Sequence, residues 1–104
     1  MGTVQTSEKL KMLERLYRHG IWSEVFDRTI DKLLAVEMEQ ALTEKEELEK
    51  RLAIYEAQYG MDSADFYRRF RVGELGDEME FVEWSVFYEM YQALLQRLEI
   101  LRAE

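Results

Sequence analysis

The sequence predicts an all-α protein: a long antiparallel helical hairpin with short N-terminal and connecting helices, packed into a dimeric helical bundle or coiled coil. Three observations carry this expectation. Proline is absent from the chain, and no glycine falls between Gly20 and Gly60. In a 4-3-4-3 rhythm that stretch places Leu34, Met38, Ala41, Lys45, Leu48, Leu52, Tyr55 and Tyr59 on one face, a heptad seam with one polar member. Finally, the C-terminal segment is apolar around far more than the stripe of little over 100° that a surface helix buries. A continuous helix between the two glycines would run roughly 55–60 Å, against a radius of gyration near 13 Å for a compact domain of about 100 residues. A rod of that length is not buried by its own chain. One domain, 1–104, that finishes its fold against another polypeptide is therefore expected.

Each element has its own signals. An N-terminal helix within 1–19, about Ser7 to Arg18, is capped by Thr6 or Ser7, repeats Leu10, Leu13, Leu16 and Tyr17 at helical spacing, and stops at His19-Gly20. Ile21 and Trp22 mark a corner expected to pack on a neighbouring helix. The long helix, 23–59, takes Ser23 as its cap and acidic Glu24 and Asp27 in its first turn. Its front half has a broad apolar face in Val25, Phe26, Ile30, Leu33 and Leu34. The segment Thr43 to Arg51 has only Leu48 apolar and is held by Glu46–Lys50 and Glu47–Arg51 pairs, so it is expected to stand in solvent. Gly60 with Met61 reads as a helix stop, and Asp62 with Asp65 opens a short helix, 62–71. Asp77 with Glu80 opens the last helix, 77–102, after a turn bracketed by Gly73 and Gly76. That helix carries one stripe of Phe81, Trp84, Tyr88, Tyr91, Leu95 and Leu98. A second holds Val82, Val86 and Met90, with Phe87, Leu94 and Leu101 between the two. It is expected to pack on two surfaces at once.

Composition narrows the function. Fourteen basic and twenty-two acidic residues give a net charge of −8, which disfavours nucleic acid phosphates and favours a basic partner. Residues 1–19 are locally +2, leaving −10 for the remainder. With no cysteine there is no disulfide framework, thiol nucleophile or cysteine metal site. No run approaches eighteen apolar residues, and no signal-peptide core stands at the N-terminus, so a soluble cytoplasmic protein without membrane attachment is expected.

No catalytic, cofactor or metal residues are assigned. His19, the single histidine, lies at a helix end without a neighbouring nucleophile, and no phosphate loop or serine elbow occurs. Glu37, Glu44, Glu80, Glu83 and Glu89 are spaced as in carboxylate-bridged metal bundles, but the Glu-x-x-His that such sites use is missing. Arg68, Arg69 and Arg71 sit among aromatics. They are read first as an intramolecular ion-pair network with Glu74, Asp77, Glu78 and Glu80, second as contacts to an acidic strip on a partner, and last as nucleic-acid contacts. Lys45 is taken to snorkel from the seam rather than to set register. Trp84, Tyr88 and Tyr91 are more readily core than a ligand box. If a partner binds, the candidate interface is Trp84, Phe87, Tyr88, Met90, Tyr91 and Leu94, with the three arginines nearby.

The stretch Tyr59 to Tyr91 resembles the signature of a family of small all-helical prokaryotic proteins. The family pattern is YGM-x-S-x-x-F-Y-x-x-F, then GELGD, then F-x-E-W and a closing aromatic helix. The matching residues are Tyr59, Gly60, Met61, Ser63, Phe66, Tyr67, Phe70, Gly73 to Asp77, Phe81, Glu83 and Trp84. The charged helix before it, from Asp31, also fits, so the likeness covers about two-thirds of the chain. It implies an antitoxin-like, non-enzymatic role beside a small basic toxin-like protein, which this chain would mask by helix-mediated occlusion as a homodimer or higher homo-oligomer. The alternative is a self-assembling structural protein with no toxin partner. The first nineteen residues hold no helix-turn-helix or ribbon element for DNA.

Overall fold

The computed structural model describes residues 5–21 and 23–103, and among these every regular element is a helix. Four are present: α1 (Thr6–Arg18), α2 (Glu24–Tyr59), α3 (Ser63–Arg71) and α4 (Met79–Arg102). The chain is all-α. α2 runs unbroken through Thr43, whose hydroxyl bonds back to the Glu39 carbonyl at 3.1 Å and so keeps its polar group within the helix. The chain forms two compact units, residues 1–34 and 35–104, that divide within α2.

In residues 35–104, α4 runs antiparallel to the rear of α2. Tyr55 pairs with Glu83 and Tyr91 with Glu49, so higher numbers on one helix meet lower numbers on the other. The core has two parts. Ala41, Leu48, Leu94 and Leu98 close one end of the pair, with Met38 and Leu101 at its margin. Leu52, Phe66 and Trp84 form the other, where α3 lies against α4. The Thr43–Arg51 segment stands mostly in solvent, as expected: Leu48 is buried under α4 beside Leu94 and Leu98, Lys45 is half-buried, and the remaining residues are exposed.

On the apolar face at the front of α2, Val25, Leu33 and Leu34 are more than half exposed and Phe26 and Ile30 are half-buried, and no described residue of α1 is buried. Ile21 is exposed rather than packed on a helix, while Trp22 lies outside the described residues. Within residues 1–34, the Tyr17 and Phe26 rings stack with centroids 6.5 Å apart and hold the corner between the helices.

Helix ends explain the corners. α2 stops in a Schellman arrangement, with Gly60 at φ +63° and the Met61 N–H reaching the Glu56 carbonyl at 3.3 Å. The Asp62 carboxylate then accepts from the Asp65 N–H at 2.7 Å and starts α3 within two residues. Ser23 caps α2 through the Phe26 N–H at 3.2 Å. Two caps differ from expectation. α1 begins one residue early, with the Gln5 N–H bonded to the Glu8 carboxylate, and α4 is preceded by Glu78 in extended backbone rather than by Asp77.

Gly60 has no atom within 4 Å of where a Cβ would stand, so substitution there meets only backbone strain. Gly60→Ala is expected to lower unfolding free energy by about 1–2 kcal/mol, the cost of a left-handed non-glycine residue. Urea denaturation of both proteins measures it, and an unchanged midpoint would show that the turn can be remade without positive φ.

Candidate functional site

The densest polar and aromatic constellation lies where α2, α3 and α4 meet. Trp84 is 0% exposed, with Phe66 stacked on its indole at a centroid distance of 3.8 Å and 5° between planes. Tyr55 and Tyr59 stack on it at 5.5 and 5.6 Å. Such enclosure leaves the indole N–H no route to water, and an unpaired buried donor would cost about 1–3 kcal/mol. The N–H instead donates to the Ser63 hydroxyl at 2.9 Å. The Ser63 hydroxyl in turn donates to the Glu56 carboxylate at 2.8 Å, and its backbone N–H donates to the same oxygen at 2.9 Å. Ser63 is the first residue of α3, where backbone N–H groups lack helical partners, so Glu56 also satisfies one of those. No buried side-chain polar atom among the described residues is left without a partner.

Around this junction, tyrosines on one helix donate to glutamates on another. Tyr55 reaches Glu83 at 3.3 Å, Tyr59 reaches Glu80 at 2.6 Å, Tyr67 reaches Glu89 at 2.6 Å and Tyr91 reaches Glu49 at 2.8 Å. The facing carboxylates favour neutral phenols. The Tyr59 hydroxyl is pushed up to about 12, first by its bond to Glu80. Tyr67 is raised chiefly by its bond to Glu89, whereas burial leads for Tyr55 and Tyr91 with the facing glutamate adding to it. Glu49 is held below the usual carboxylate range by the Tyr91 hydroxyl and then by Lys45, whose Nζ lies 3.1 Å away. Lys45 is half-buried at the seam with its ammonium turned to Glu49, as a snorkelling side chain is.

The three arginines use other partners than those expected. Arg68 and Arg69 both reach Asp65, at 2.6 and 3.2 Å, and hold its carboxyl below the usual range, the Arg68 bond foremost. Arg71 donates to the Tyr67 hydroxyl at 3.1 Å and stands 3.8 Å from Glu89. Helical spacing makes Asp65 available to its i+3 and i+4 neighbours, while Glu80 is already taken by Tyr59 and Gln58. The carboxylates weighed as metal ligands are likewise engaged: Glu37 and Glu44 grip Arg97 at 3.1 and 3.2 Å, and Glu80, Glu83 and Glu89 hold tyrosines. Among the described residues no group of three potential ligands is positioned for a metal.

The candidate interface residues are divided by the fold. Trp84 and Leu94 are core, Phe87, Tyr88 and Tyr91 are half-buried and pack against the core clusters, and Met90 alone of the six is exposed. Phe87 carries the Arg51 guanidinium 5.0 Å above its ring, so Arg51 serves α4 rather than the expected pair with Glu47. Two adjoining concavities, each about 300 Å³, share Arg51 and Phe87 and are bordered by Ile54, Met90, Glu44, Glu47, Glu80 and Glu83. Beside them Met79, Val82, Val86 and Met90 recur at helical spacing and lie exposed on the back of α4. Glu56 and the phenol–carboxylate pairs were not singled out in the sequence. Their one legible trace is Tyr55 and Tyr59 four apart on α2, against Glu80 and Glu83 three apart on α4.

Two outcomes test this junction. Ser63→Ala leaves the indole N–H without its acceptor, while Glu56 keeps the backbone N–H, and is expected to cost about 1–3 kcal/mol by chemical denaturation; a neutral result would mean the hydroxyl is dispensable. For Tyr59, the folded chain keeps its phenolic proton after the unfolded chain has released it. The associated stability is complete below about pH 10 and is lost as pH rises toward about 12. Tyr59→Phe should flatten the stability profile in that window, and a profile as steep as the parent's would contradict the assignment.

No protein-family model, no curated protein and no solved structure matches this chain.

Proposed function

We propose that the chain is a non-enzymatic, antitoxin-like protein-binding module whose residues 35–104 mask a small basic partner by occlusion. The observation that carries this is the exposed apolar band on α4, Met79, Val82, Val86 and Met90, continuous with the Phe87 and Ile54 concavities and bordered by Glu44, Glu47, Glu80 and Glu83. Residues 35–104 hold eight basic and seventeen acidic side chains, a net −9. An apolar strip within such a field fits an amphipathic helix with a cationic border: the strip supplies affinity and the border speeds encounter. The polar groups of the α2–α3–α4 junction are committed to one another, which favours a binding role over a reacting one. The likeness of Tyr59 to Trp84 to the antitoxin-like family points the same way.

The test uses the product of the adjacent gene in the native host, purified separately. The full chain is expected to bind it with an affinity that falls steeply with salt, and Val86→Glu/Met90→Glu should weaken binding at least tenfold while keeping helical content. Equal affinity for that variant, or no binding by the parent chain, would refute the proposal.

A further inference from the structure

The two concavities that share Arg51 and Phe87 are one hole repeated. On α2 the first is walled by Glu44, Glu47, Leu48 and Arg51, and the second by Arg51, Ile54, Tyr55 and Gln58, each residue seven further along. On the antiparallel α4 the same step runs backwards, from Phe87 and Met90 to Glu80 and Glu83. Helices wound about one another at about 3.5 residues per turn repeat every seven residues, so the groove between them opens at the same place in each heptad. The holes, about 310 and 300 Å³, therefore stand about 10.5 Å apart at about 1.5 Å per residue.

Charge separates the two. In the first, Arg97 grips Glu44 at 3.2 Å, and Leu48, Phe87 and Met90 supply the apolar lining. Glu47 is left there to balance the shared Arg51 guanidinium. In the second, Glu80 and Glu83 are held by Tyr59, Gln58 and Tyr55, donors that carry no charge and so neutralise neither carboxylate. Ile54, 65% exposed, and the Phe87 ring lie beside them.

Given a partner bound along α4, as the proposed function requires, we infer that this groove seats a helix of the partner carrying one apolar and one basic side chain seven residues apart. The apolar residue enters at Met90 and the basic one at Glu80 and Glu83. Backbone geometry selects a helix. Side chains seven apart on an α-helix lie close to one face at about 10.5 Å, the interval of the holes. On a strand, a separation near 10 Å falls three residues on, where the side chain points to the opposite face. A polyproline II segment repeats every three residues at about 9.3 Å and falls short by about 1 Å. The basic side chain lays its methylenes on Ile54 and Phe87 and brings its charged end to the two carboxylates.

Methyl NMR of the full chain tests this, because Ile54 reports on one hole and Met90 on the other. The probe is an alanine–glutamine peptide of about 20 residues, long enough to hold helix, with one leucine and one arginine seven apart, made in both sequence orders. The better order is expected to shift both methyls with one dissociation constant, at least tenfold tighter than a peptide with the pair five apart. Norleucine in place of the arginine should weaken binding at least fivefold on the parent. It should make no difference on Glu80→Gln/Glu83→Gln, whose amides still accept from the tyrosines. Equal binding by the five-apart or the norleucine peptide, tighter binding by a polyproline peptide with the pair three apart, or no methyl shift with any of them would each overturn the inference. So would Ile54 and Met90 shifts that follow the chain's own concentration without peptide, which would make a second copy the occupant. The adjacent gene's product takes no part, so its failure to bind and the peptides' failure are separate results.

Discussion

An enclosed indole needs both a close-packed aromatic shell and an acceptor for its single donor, and Trp84 of α4 obtains these from the two other helices of its unit. Phe66 of α3 covers one face, Tyr55 and Tyr59 of α2 stack on it as well, and the first residue of α3 accepts the N–H. Satisfying that donor fixes where α3 begins, because Ser63 must present its hydroxyl there while Glu56 meets its backbone N–H. The tight stop at Gly60 and the cap at Asp62 follow from this, since few residues are available between the end of α2 and Ser63. Register along the α2–α4 pair is then set by the phenol–carboxylate bonds that continue from the junction.

Seen this way, the family-like signature is mostly a description of that junction. Tyr59, Met61, Phe66, Tyr67, Phe70, Leu75 and Phe81 all pack in the cluster around Trp84, and Gly60 and Gly73 adopt positive φ at the helix ends. Glu83 accepts the Tyr55 hydroxyl. Val86 and Met90, exposed on the back of α4, lie outside the matched letters.

The helices were legible because proline is missing and capping residues are punctual: Ser23, Gly60 and Asp62 act locally and do what local rules say. The rear seam was legible too, with Ala41, Leu48 and Leu52 buried as the heptad rhythm implies. Coverage was not legible. Periodicity says which face of a helix is apolar, not whether another element reaches it, so Leu48 of the lean Thr43–Arg51 segment is buried while Val25, Leu33 and Leu34 of the richer front are more than half exposed. Among the candidate interface residues, wide apolarity on α4 hid the distinction between Trp84 and Leu94, which face inward, and Met90, which faces out. The arginine partners were missed for a similar reason. Nearness in sequence favoured Glu74 to Glu80, but the helix geometry of α3 gave Asp65 to two arginines and the long reach to α4 gave Glu89 to the third.

Arg97 grips Glu37 and Glu44 at one end of the α2–α4 pair, but fastening the rest with phenols rather than with ammonium or guanidinium groups has an electrical consequence. A tyrosine hydroxyl donates a hydrogen bond but brings no positive charge, so Glu49, Glu80, Glu83 and Glu89 are tethered without being neutralised by those tyrosines. The same contacts made by lysines would have cancelled much of the potential outside the helices. Here cohesion within the fold and the reach of its negative field are set by different atoms, and neither has to be surrendered to obtain the other.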